Sequence, residues 1–184
     1  KKYLCTIMKE TIVLLGSNGQ IGSELGLALR AKFGTSNVIT SDIREPKSLG
    51  EGEIFETINV LDRDALRTLF EKYKPTQVYL LAAMLSATGE QYPLKAWDLN
   101  MNGLLNVLNL CIELGIKKIF WPSSIAVFGP NSPTTNTPQY CVMDPNSIYG
   151  ISKLAGERLC EYYTEKYGLD IRSIRYPGII SRKT

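Results

Sequence analysis

Residues 11–22 read TIVLLGSNGQIG, and this stretch decides the fold class. The apolar run 11–15 is typical of a buried strand, and the glycine spacing GxxGxxG follows it at the start of an amphipathic helix. Gly16 permits a tight turn, while Gly19 and Gly22 let backbone and helix approach closely. Because free N–H groups at a helix start attract anions, the turn predicts a site for a dinucleotide pyrophosphate. A glycine-rich turn without a ligand is the alternative.

Apolar runs alternate with amphipathic stretches along the rest of the chain. This rhythm predicts an α/β fold with a doubly wound, parallel sheet of the Rossmann type. The predicted strands are 11–15, 38–41, 54–58, 77–83, 118–121 and 170–175. The predicted helices are 20–33, 62–73, 92–114 and 148–167. Asp62 is expected to cap the second helix, and Gly115 and Gly168 to end the last two.

Composition excludes several classes of function. The 184 residues are enough for one domain, and a net charge of +3, from 21 basic and 18 acidic residues scattered along the chain, argues against nucleic acid as a partner. There is no histidine, and the four cysteines lack ligand spacing, so we expect no metal site. No apolar run reaches the roughly 18 residues of a membrane span. Reduced thiols suggest the cytoplasm, with the mitochondrial matrix as the alternative.

Two strand ends predict contacts to the adenosine half of a dinucleotide. Asp42 ends the second strand, about twenty residues beyond the last glycine, where a carboxylate accepts hydrogen bonds from ribose hydroxyls and repels a 2′-phosphate. NAD is therefore expected rather than NADP, although Arg44 nearby offers a cation for such a phosphate. Asn59 and Val60 close the third strand, where a side-chain amide and a backbone N–H suit the adenine edge.

Tyr149 and Lys153 stand one helical turn apart near the end of the chain. The same spacing occurs at Tyr162 and Lys166, so the spacing alone is a weak signal. Tyr149 is favoured because it begins a helix after a long loop, and because Ser123–Ser124 ends a parallel strand, where the sites of such sheets form.

This trio predicts hydride transfer to or from an alcohol carbon. Lys153, with a positive nicotinamide, is expected to lower the pKa of Tyr149 from about 10 towards working pH. Tyr149 then takes the hydroxyl proton as hydride leaves carbon, and Ser124 holds the substrate oxygen. Ordinary helix-surface residues beside a serine turn are the alternative.

Two further positions stay open between a functional and a structural role. Asn100 either bonds near the lysine and the cofactor ribose or is a polar surface position. Ser86, at the end of 81–86, either contacts substrate or caps a turn or helix. The small residues of 81–83 let a cofactor lie close to the backbone.

These motifs together resemble the extended short-chain dehydrogenase/reductase superfamily, with the epimerase-like subgroup most similar. Longer strings are similar to the short-chain type of L-threonine 3-dehydrogenase. They are AWDLNMN at 96–102, FWPSSIAVFGP at 120–130, NTPQ at 136–139, YGISK at 149–153 and RYPGIIS at 175–181.

The resemblance implies oxidation of the L-threonine β-hydroxyl by NAD, giving 2-amino-3-ketobutyrate, in a homodimer. Ser124, Tyr149 and Lys153 are the implied catalytic residues. The candidate cofactor residues are Gly16, Asn18, Gly19, Gln20, Ile21, Gly22, Asp42, Ile43, Arg44, Asn59, Val60, Leu81, Ala82, Ala83, Asn100, Tyr149, Lys153 and Ile179. The candidate substrate residues are Ser86, Ser123, Ser124 and Tyr149. A nucleotide-sugar epimerase or dehydratase, or a non-catalytic NAD-binding protein, is the rival interpretation.

Members of this family carry a small C-terminal domain that closes on the substrate. We therefore expect an N-terminal extension over residues 1–9 and an NAD-binding domain with the catalytic residues over 10–184, with the substrate domain absent from this chain. Asn59 stands where many extended members have aspartate. Helices 92–114 and 148–167 are the expected contact of a four-helix dimer interface.

Overall fold

The apolar run after residue 11 forms the central strand β1 (Ile12–Leu15), whose four side chains are buried. The structure is a computed structural model that describes residues 10–180, so the expected extension 1–9 lies outside the described residues. The other strands are β2 (Val38–Asp42), β3 (Ile54–Thr57), β4 (Gln77–Leu80), β5 (Lys118–Phe120), β6 (Ser123–Ser124), β7 (Asp170–Arg172) and β8 (Arg175–Tyr176).

Six of these strands form one parallel sheet in the order β3-β2-β1-β4-β5-β7. The predicted Rossmann-type topology is confirmed. The order reverses direction between β1 and β4, and a crevice opens at such a switch point, beyond the carboxyl ends of the strands. The glycine turn directly follows β1, so it lies at the edge of this crevice.

The helices are α1 (Gln20–Phe33), α2 (Arg63–Tyr73), α3 (Ser86–Gln91), α4 (Pro93–Trp97), α5 (Gly103–Glu113) and α6 (Ile148–Tyr167). Side chains alternate between the faces of the sheet. Ile12 therefore packs with Leu29 of α1, whereas Val13 packs in a larger core with Leu66 of α2 and Val107 of α5.

The expected caps agree with the structure. The Asp62 carboxylate accepts from the Ala65 backbone N–H at 3.0 Å. Gly168 caps α6 with a φ of +68°, and Gly115 has a φ of +72° just after α5. The Ser147 hydroxyl caps the start of α6 by accepting from the Gly150 N–H at 3.0 Å.

The predicted single helix 92–114 is wrong in one respect. Pro93 starts α4 as a separate helix, and a π-helical turn, Asp98–Asn102, separates α4 from α5. The strand predicted over 170–175 is also two strands, because β7 belongs to the main sheet while β8 pairs with β6. Helix α3 was not predicted.

Candidate active site

The glycine turn leaves no room for side chains at two of its three glycines. Gly16 has a φ of +86°, and a Cβ there would lie 2.5 Å from the Ala82 backbone nitrogen. A Cβ at Gly22 would lie 2.3 Å from the Gly16 carbonyl oxygen. Gly19 is the N-cap of α1, so the first N–H groups of the helix meet no capping side chain. The turn therefore keeps backbone donors for an anion.

Two cavities share this turn and extend from it in opposite directions. One, of about 280 Å³, runs to Ser124, Tyr149 and Lys153. The other, of about 480 Å³, runs to the ends of β2 and β3. We call them the catalytic lobe and the adenosine lobe. An anion-binding turn between two elongated cavities fits a dinucleotide, whose pyrophosphate lies between two nucleosides.

Most of the predicted cofactor residues line these lobes. In the catalytic lobe they are Gly16, Gly19, Gln20, Ile21, Gly22, Leu81, Ala83, Tyr149, Lys153 and Ile179. In the adenosine lobe they are Gly16, Asn18, Gly19, Asp42, Ile43, Arg44, Asn59, Val60, Leu81, Ala82 and Ala83. The Gln20 side-chain amide donates to the Ile179 carbonyl at 3.2 Å, which joins the two walls of the catalytic lobe.

The Asp42 carboxylate is held at the rim of the adenosine lobe by backbone donors. Its Oδ2 accepts from the Asn18 N–H at 3.0 Å, and its Oδ1 from the Ile43 N–H at 2.8 Å. The Asn18 amide donates in turn to the Arg44 carbonyl at 2.6 Å. Asn59 forms a local turn in which its Oδ1 accepts from the Leu61 N–H at 3.0 Å. These bonds fix the polar groups around the lobe before any ligand arrives.

Lys153 lies beneath the catalytic lobe and is 3% exposed. Its Nζ donates to the Pro122 carbonyl at 2.6 Å and lies 4.5 Å from the centre of the Trp121 ring. Burial lowers the pKa of Lys153 to about 8, because a charged ammonium is poorly solvated in this environment.

Tyr149 differs from the expectation in its acidity. Burial raises its pKa, and hydrogen bonding with Ser124 opposes that rise. The expected lowering requires Lys153 together with a positive nicotinamide; in the free protein the Lys153 Nζ bonds Pro122 and lies 5.6 Å from the centre of the Tyr149 ring. In the free protein, burial therefore raises the pKa of Tyr149 by more than the hydrogen bond with Ser124 lowers it.

The two neighbouring serines have different partners. Ser124 is the N-cap of the 3₁₀ turn Ile125–Val127, and its Oγ accepts from the Ala126 N–H at 3.1 Å. The buried Ser123 donates its hydroxyl to Glu157 at 2.6 Å. Both line the catalytic lobe, but only Ser124 is partly exposed there. A substrate contact by Ser123 stays a prediction.

Asn100 is 5% exposed, so its interpretation as a surface residue is wrong. Its amide accepts from the Met84 N–H at 2.8 Å and donates to the Met84 carbonyl and the Ser152 hydroxyl, each at 3.1 Å. It thereby ties the chain leaving β4 to α6. Ser86 begins α3 and is exposed, while the preceding Leu85 lines the catalytic lobe.

Several residues that line the two lobes were not predicted from the sequence. Tyr176 and Pro177 line the catalytic lobe because β8 pairs with β6, and Lys95 and Asp98 line the adenosine lobe from α4 and the π turn. A strand of two residues is too short to show a hydrophobic periodicity, so the pairing of β6 with β8 could not be predicted from the sequence.

The second tyrosine–lysine pair lies apart from both lobes. The Lys166 Nζ donates to the Tyr162 hydroxyl at 2.5 Å on the exposed surface of α6, and this bond lowers the pKa of Tyr162. A third cavity, of about 710 Å³, is also separate from the glycine turn and is lined by Arg158, Glu161 and their neighbours.

Within residues 10–180, no helix is long and apolar enough to span a bilayer, and no three acidic or cysteine side chains cluster as metal ligands.

Comparison with known proteins agrees with this geometry. The model of the NAD dependent epimerase/dehydratase family matches residues 12–183. An uncharacterized epimerase/dehydratase of Staphylococcus saprophyticus is 48% identical over 173 residues, which are 92% of this chain and 53% of the relative.

Solved structures that are similar in fold and sequence include a threonine dehydrogenase and a UDP-glucose epimerase. The GalE-like L-threonine dehydrogenase from Cupriavidus necator, in its holo form, is 54% identical with a TM-score of 0.91, over 95% of this chain and 57% of that one. The UDP-glucose 4-epimerase of Thermotoga maritima, with UDP-glucose, is 28% identical with a TM-score of 0.82, over 90% of this chain and 55% of that one. The chain thus spans about half the length of these relatives. It belongs to the NAD-dependent epimerase/dehydratase family of extended short-chain dehydrogenases/reductases, which implies a nicotinamide cofactor.

Proposed function

We propose that residues 10–184 form the NAD-binding and catalytic part of an L-threonine 3-dehydrogenase, which oxidises the β-hydroxyl of L-threonine to 2-amino-3-ketobutyrate. The observation that carries the proposal is the catalytic lobe, where Ser124, Tyr149 and Lys153 meet beside the glycine turn. The similarity to the Cupriavidus necator enzyme supports threonine as the substrate.

The residues around the two lobes fit NAD. The first N–H groups of α1 suit the pyrophosphate, and the Asp42 carboxylate suits the ribose hydroxyls and repels a 2′-phosphate. Asn59 and Val60 serve the adenine edge, with Asn59 presenting an amide where many extended family members have a carboxylate. When bound, the nicotinamide ring supplies the acceptor for the hydride.

The chain's own residues handle the proton. Oxidation breaks the C–H and O–H bonds of the β-carbinol, and the O–H proton passes to the Tyr149 phenolate oxygen. In the free protein the bond with Ser124 opposes the pKa rise that burial gives Tyr149. With substrate bound, the Ser124 hydroxyl donates to the substrate oxygen instead. Lys153 keeps a positive charge beneath the lobe below a pH of about 8. Tyr176 and Pro177 form part of the wall at this end of the cleft.

A nucleotide-sugar epimerase is the second candidate, because the Thermotoga maritima epimerase shares this fold. The higher identity and TM-score of the Cupriavidus necator dehydrogenase favour threonine oxidation. We also propose a cytoplasmic or mitochondrial-matrix location, where thiols stay reduced, since Cys111, Cys141 and Cys160 are free.

The test is an assay of NADH formation from L-threonine by the protein at its full natural length. Replacing Tyr149→Phe removes the proton acceptor, so kcat should fall by about 10²–10⁴ while NAD affinity is retained. Tyr162→Phe is the matched control, because it removes the same atom from a tyrosine–lysine pair outside the lobes.

Three outcomes separate the candidates. Threonine-dependent NADH formation that is lost only with Tyr149→Phe supports the dehydrogenase. Interconversion of UDP-sugars without threonine oxidation assigns the epimerase. NAD binding without turnover of either substrate assigns a binding protein.

A further inference from the structure

Glu157 lies one helical turn beyond Lys153, on the α6 stripe that also carries Tyr149. It is 9% exposed, and both carboxylate oxygens are bonded. Oε1 accepts from the Ser123 hydroxyl at 2.6 Å and from Arg175 Nε at 2.8 Å, while Oε2 accepts from Arg175 Nη2 at 2.8 Å. The pair is bidentate, the geometry in which arginine holds a carboxylate most firmly.

The charges of this pair are compensated within the protein. Burial raises the pKa of Glu157, but hydrogen bonds from Arg175 and Ser123 outweigh it and leave the pKa below its ordinary value. Hydrogen bonding to Glu157 raises the pKa of Arg175. Both groups are therefore ionised around neutral pH. A buried network whose members are satisfied holds one geometry, because each broken bond exposes an unpaired charge.

Arg175 extends the network to the loop before α6. Its Nη1 donates to the Gln139 carbonyl at 3.0 Å, and its guanidinium carbon lies 5.3 Å from the centre of the Phe128 ring. Arg175 also begins β8, which pairs with β6. Arg175 thus links α6 to the loop that leads to Tyr149 through its side chain, and it links both to the strand that carries Ser124 through strand pairing.

Ser123 transmits this constraint to the catalytic lobe. Its hydroxyl is bonded to Glu157, and its backbone N–H donates to the Ile174 carbonyl at 2.9 Å. Its neighbours on either side are Pro122, whose carbonyl accepts from Lys153, and Ser124. A shift of Ser123 would therefore move the lysine's acceptor and the serine hydroxyl together.

We infer that Glu157 and Arg175 are positioning residues, which fasten Ser123 to α6 and so set Ser124 against Tyr149 and Lys153. The inference rests on the proposed function in taking these three as the catalytic groups. Glu157 and Arg175 line the separate 710 Å³ cavity and are not among the residues that line the catalytic lobe, so they act through Ser123.

The test compares variants of Glu157 by their kcat and KM. In Glu157→Ala, kcat should fall by about 10–100-fold, the cost expected of an ångström-scale misplacement, with KM for threonine and affinity for NAD retained. Glu157→Gln keeps an oxygen that accepts from Ser123 and should recover part of this loss. Glu161→Ala is the matched control, because Glu161 pairs with Arg158 on the exposed face of α6 and should leave kcat unchanged.

A second variant separates positioning from folding. Glu157→Ala leaves Arg175 buried without its partner, and this alone destabilises a protein. The double replacement Glu157→Leu with Arg175→Met removes both charges at similar volume and should keep the stability of the wild type. Its kcat should nevertheless fall, because Ser123 has lost its acceptor. A double variant that is as active as the wild type overturns the inference.

A readout without substrate keeps the two proposals distinguishable. The pKa of Tyr149 can be measured by ultraviolet titration of each protein against the same protein carrying Tyr149→Phe. Lys153 and Tyr176 are the other titratable side chains lining the lobe, and neither is changed. Displacement of Ser124 removes the bond that lowers the pKa of Tyr149, so this pKa should rise in the double variant.

If the wild type oxidises no threonine but the pKa of Tyr149 rises in the double variant, the proposed substrate fails and the positioning role stands. If the pKa of Tyr149 stays at its wild-type value, the positioning role is wrong, whatever the substrate.

Discussion

Lys153 is a charged side chain that the fold stabilises poorly. It is 3% exposed, and the partners of its ammonium are one carbonyl and two aromatic rings. Burial lowers its pKa from 10.5 to about 8, which corresponds to about 3 kcal/mol at 1.36 kcal/mol per unit. Keeping a cation under the catalytic lobe therefore lowers the free energy of unfolding of the protein.

Replacing Lys153→Met should raise the free energy of unfolding by up to about 3 kcal/mol at pH 7 while abolishing turnover. The unfolded chain keeps this proton up to pH 10.5, whereas the folded protein loses it near pH 8. Between these values the wild type gains stability with rising pH, so the advantage of the variant should shrink. Urea unfolding at pH 7 and pH 10 measures both effects.

Lys166→Met is the matched control, because Lys166 is on the exposed surface and its bond with Tyr162 raises its pKa. This control should not be stabilised at pH 7. A Lys153→Met protein that is less stable than the wild type at pH 7, or a stability difference that does not vary with pH, contradicts the prediction.

Residue types and spacing predicted which side chains meet in the cleft, but they left the partners of those side chains open. The sequence gives no measure of burial, and burial is what raises the pKa of Tyr149 in the free protein. The sequence also left the burial of Asn100 open. Its amide is bonded to Met84 and to Ser152, which lies 52 positions away in sequence. Such contacts follow from tertiary packing rather than from local pattern.

At the scale of elements, α1 depends on one glycine for its approach to the turn. In Gly22→Ala, the new Cβ would lie 2.3 Å from the Gly16 carbonyl oxygen and 2.7 Å from the Ser17 Cα, so backbone must move. The displaced N–H groups should weaken NAD binding by at least about tenfold, roughly 1.4 kcal/mol, as measured by a binding titration.

Gly26→Ala provides the matched control one turn further along α1. Its Cβ would meet only side-chain atoms, the nearest at 3.6 Å, which is ordinary contact. Alanine also favours a helix interior by about 0.5–1 kcal/mol over glycine, so this variant should melt at a higher temperature with NAD affinity unchanged. Equal NAD affinity in both variants would count against the assigned role of the turn.

The break in the long predicted helix shows what periodicity misses. Apolar residues continue through 92–114, so the pattern indicates one helix. The π turn adds one residue per turn at Asp98–Asn102, and the side chains after it rotate relative to those of α4. Asn100 lies in this turn and is buried, with Met84 and Ser152 as its partners. These hydrogen bonds stabilise the π turn, but they join residues that are distant in sequence. The hydrophobic pattern of the helix therefore gives no sign of them.

At the scale of the whole molecule, the alternation of strands and helices was sufficient to predict the position of the cleft. The observed strand order reverses between β1 and β4, and this reversal places the crevice beside β1. The small sheet of β6 and β8 was not predictable in the same way. It joins two-residue strands 52 positions apart in sequence, Ser123 with Arg175, and it supplies the wall that carries Ser124 and Tyr176.

We propose that the protein forms a homodimer through the region of α4 to α6, the helices 92–114 and 148–167 of the sequence analysis. Helix α4 packs against α6. Large apolar side chains remain exposed on both: Leu94 (84%) and Trp97 (40%) on α4, and Ile151 (42%) and Tyr162 (46%) on α6. Ile151 and Tyr162 are three turns apart and share one face of α6, which gives a stripe for a second copy.

Light scattering should therefore give twice the monomer mass, and Trp97→Glu or Ile151→Glu should return the protein to monomers, because a buried unpaired carboxylate opposes association. Both variants should still bind NAD, since neither residue is among those lining the lobes. Leu27→Glu is the control: Leu27 is 50% exposed, slightly more than Trp97 and Ile151, but it lies on α1 and should leave the dimer intact. A wild type that remains monomeric at high micromolar concentration rules the interface out. If Leu27→Glu dissociates the dimer, the interface lies on α1 instead.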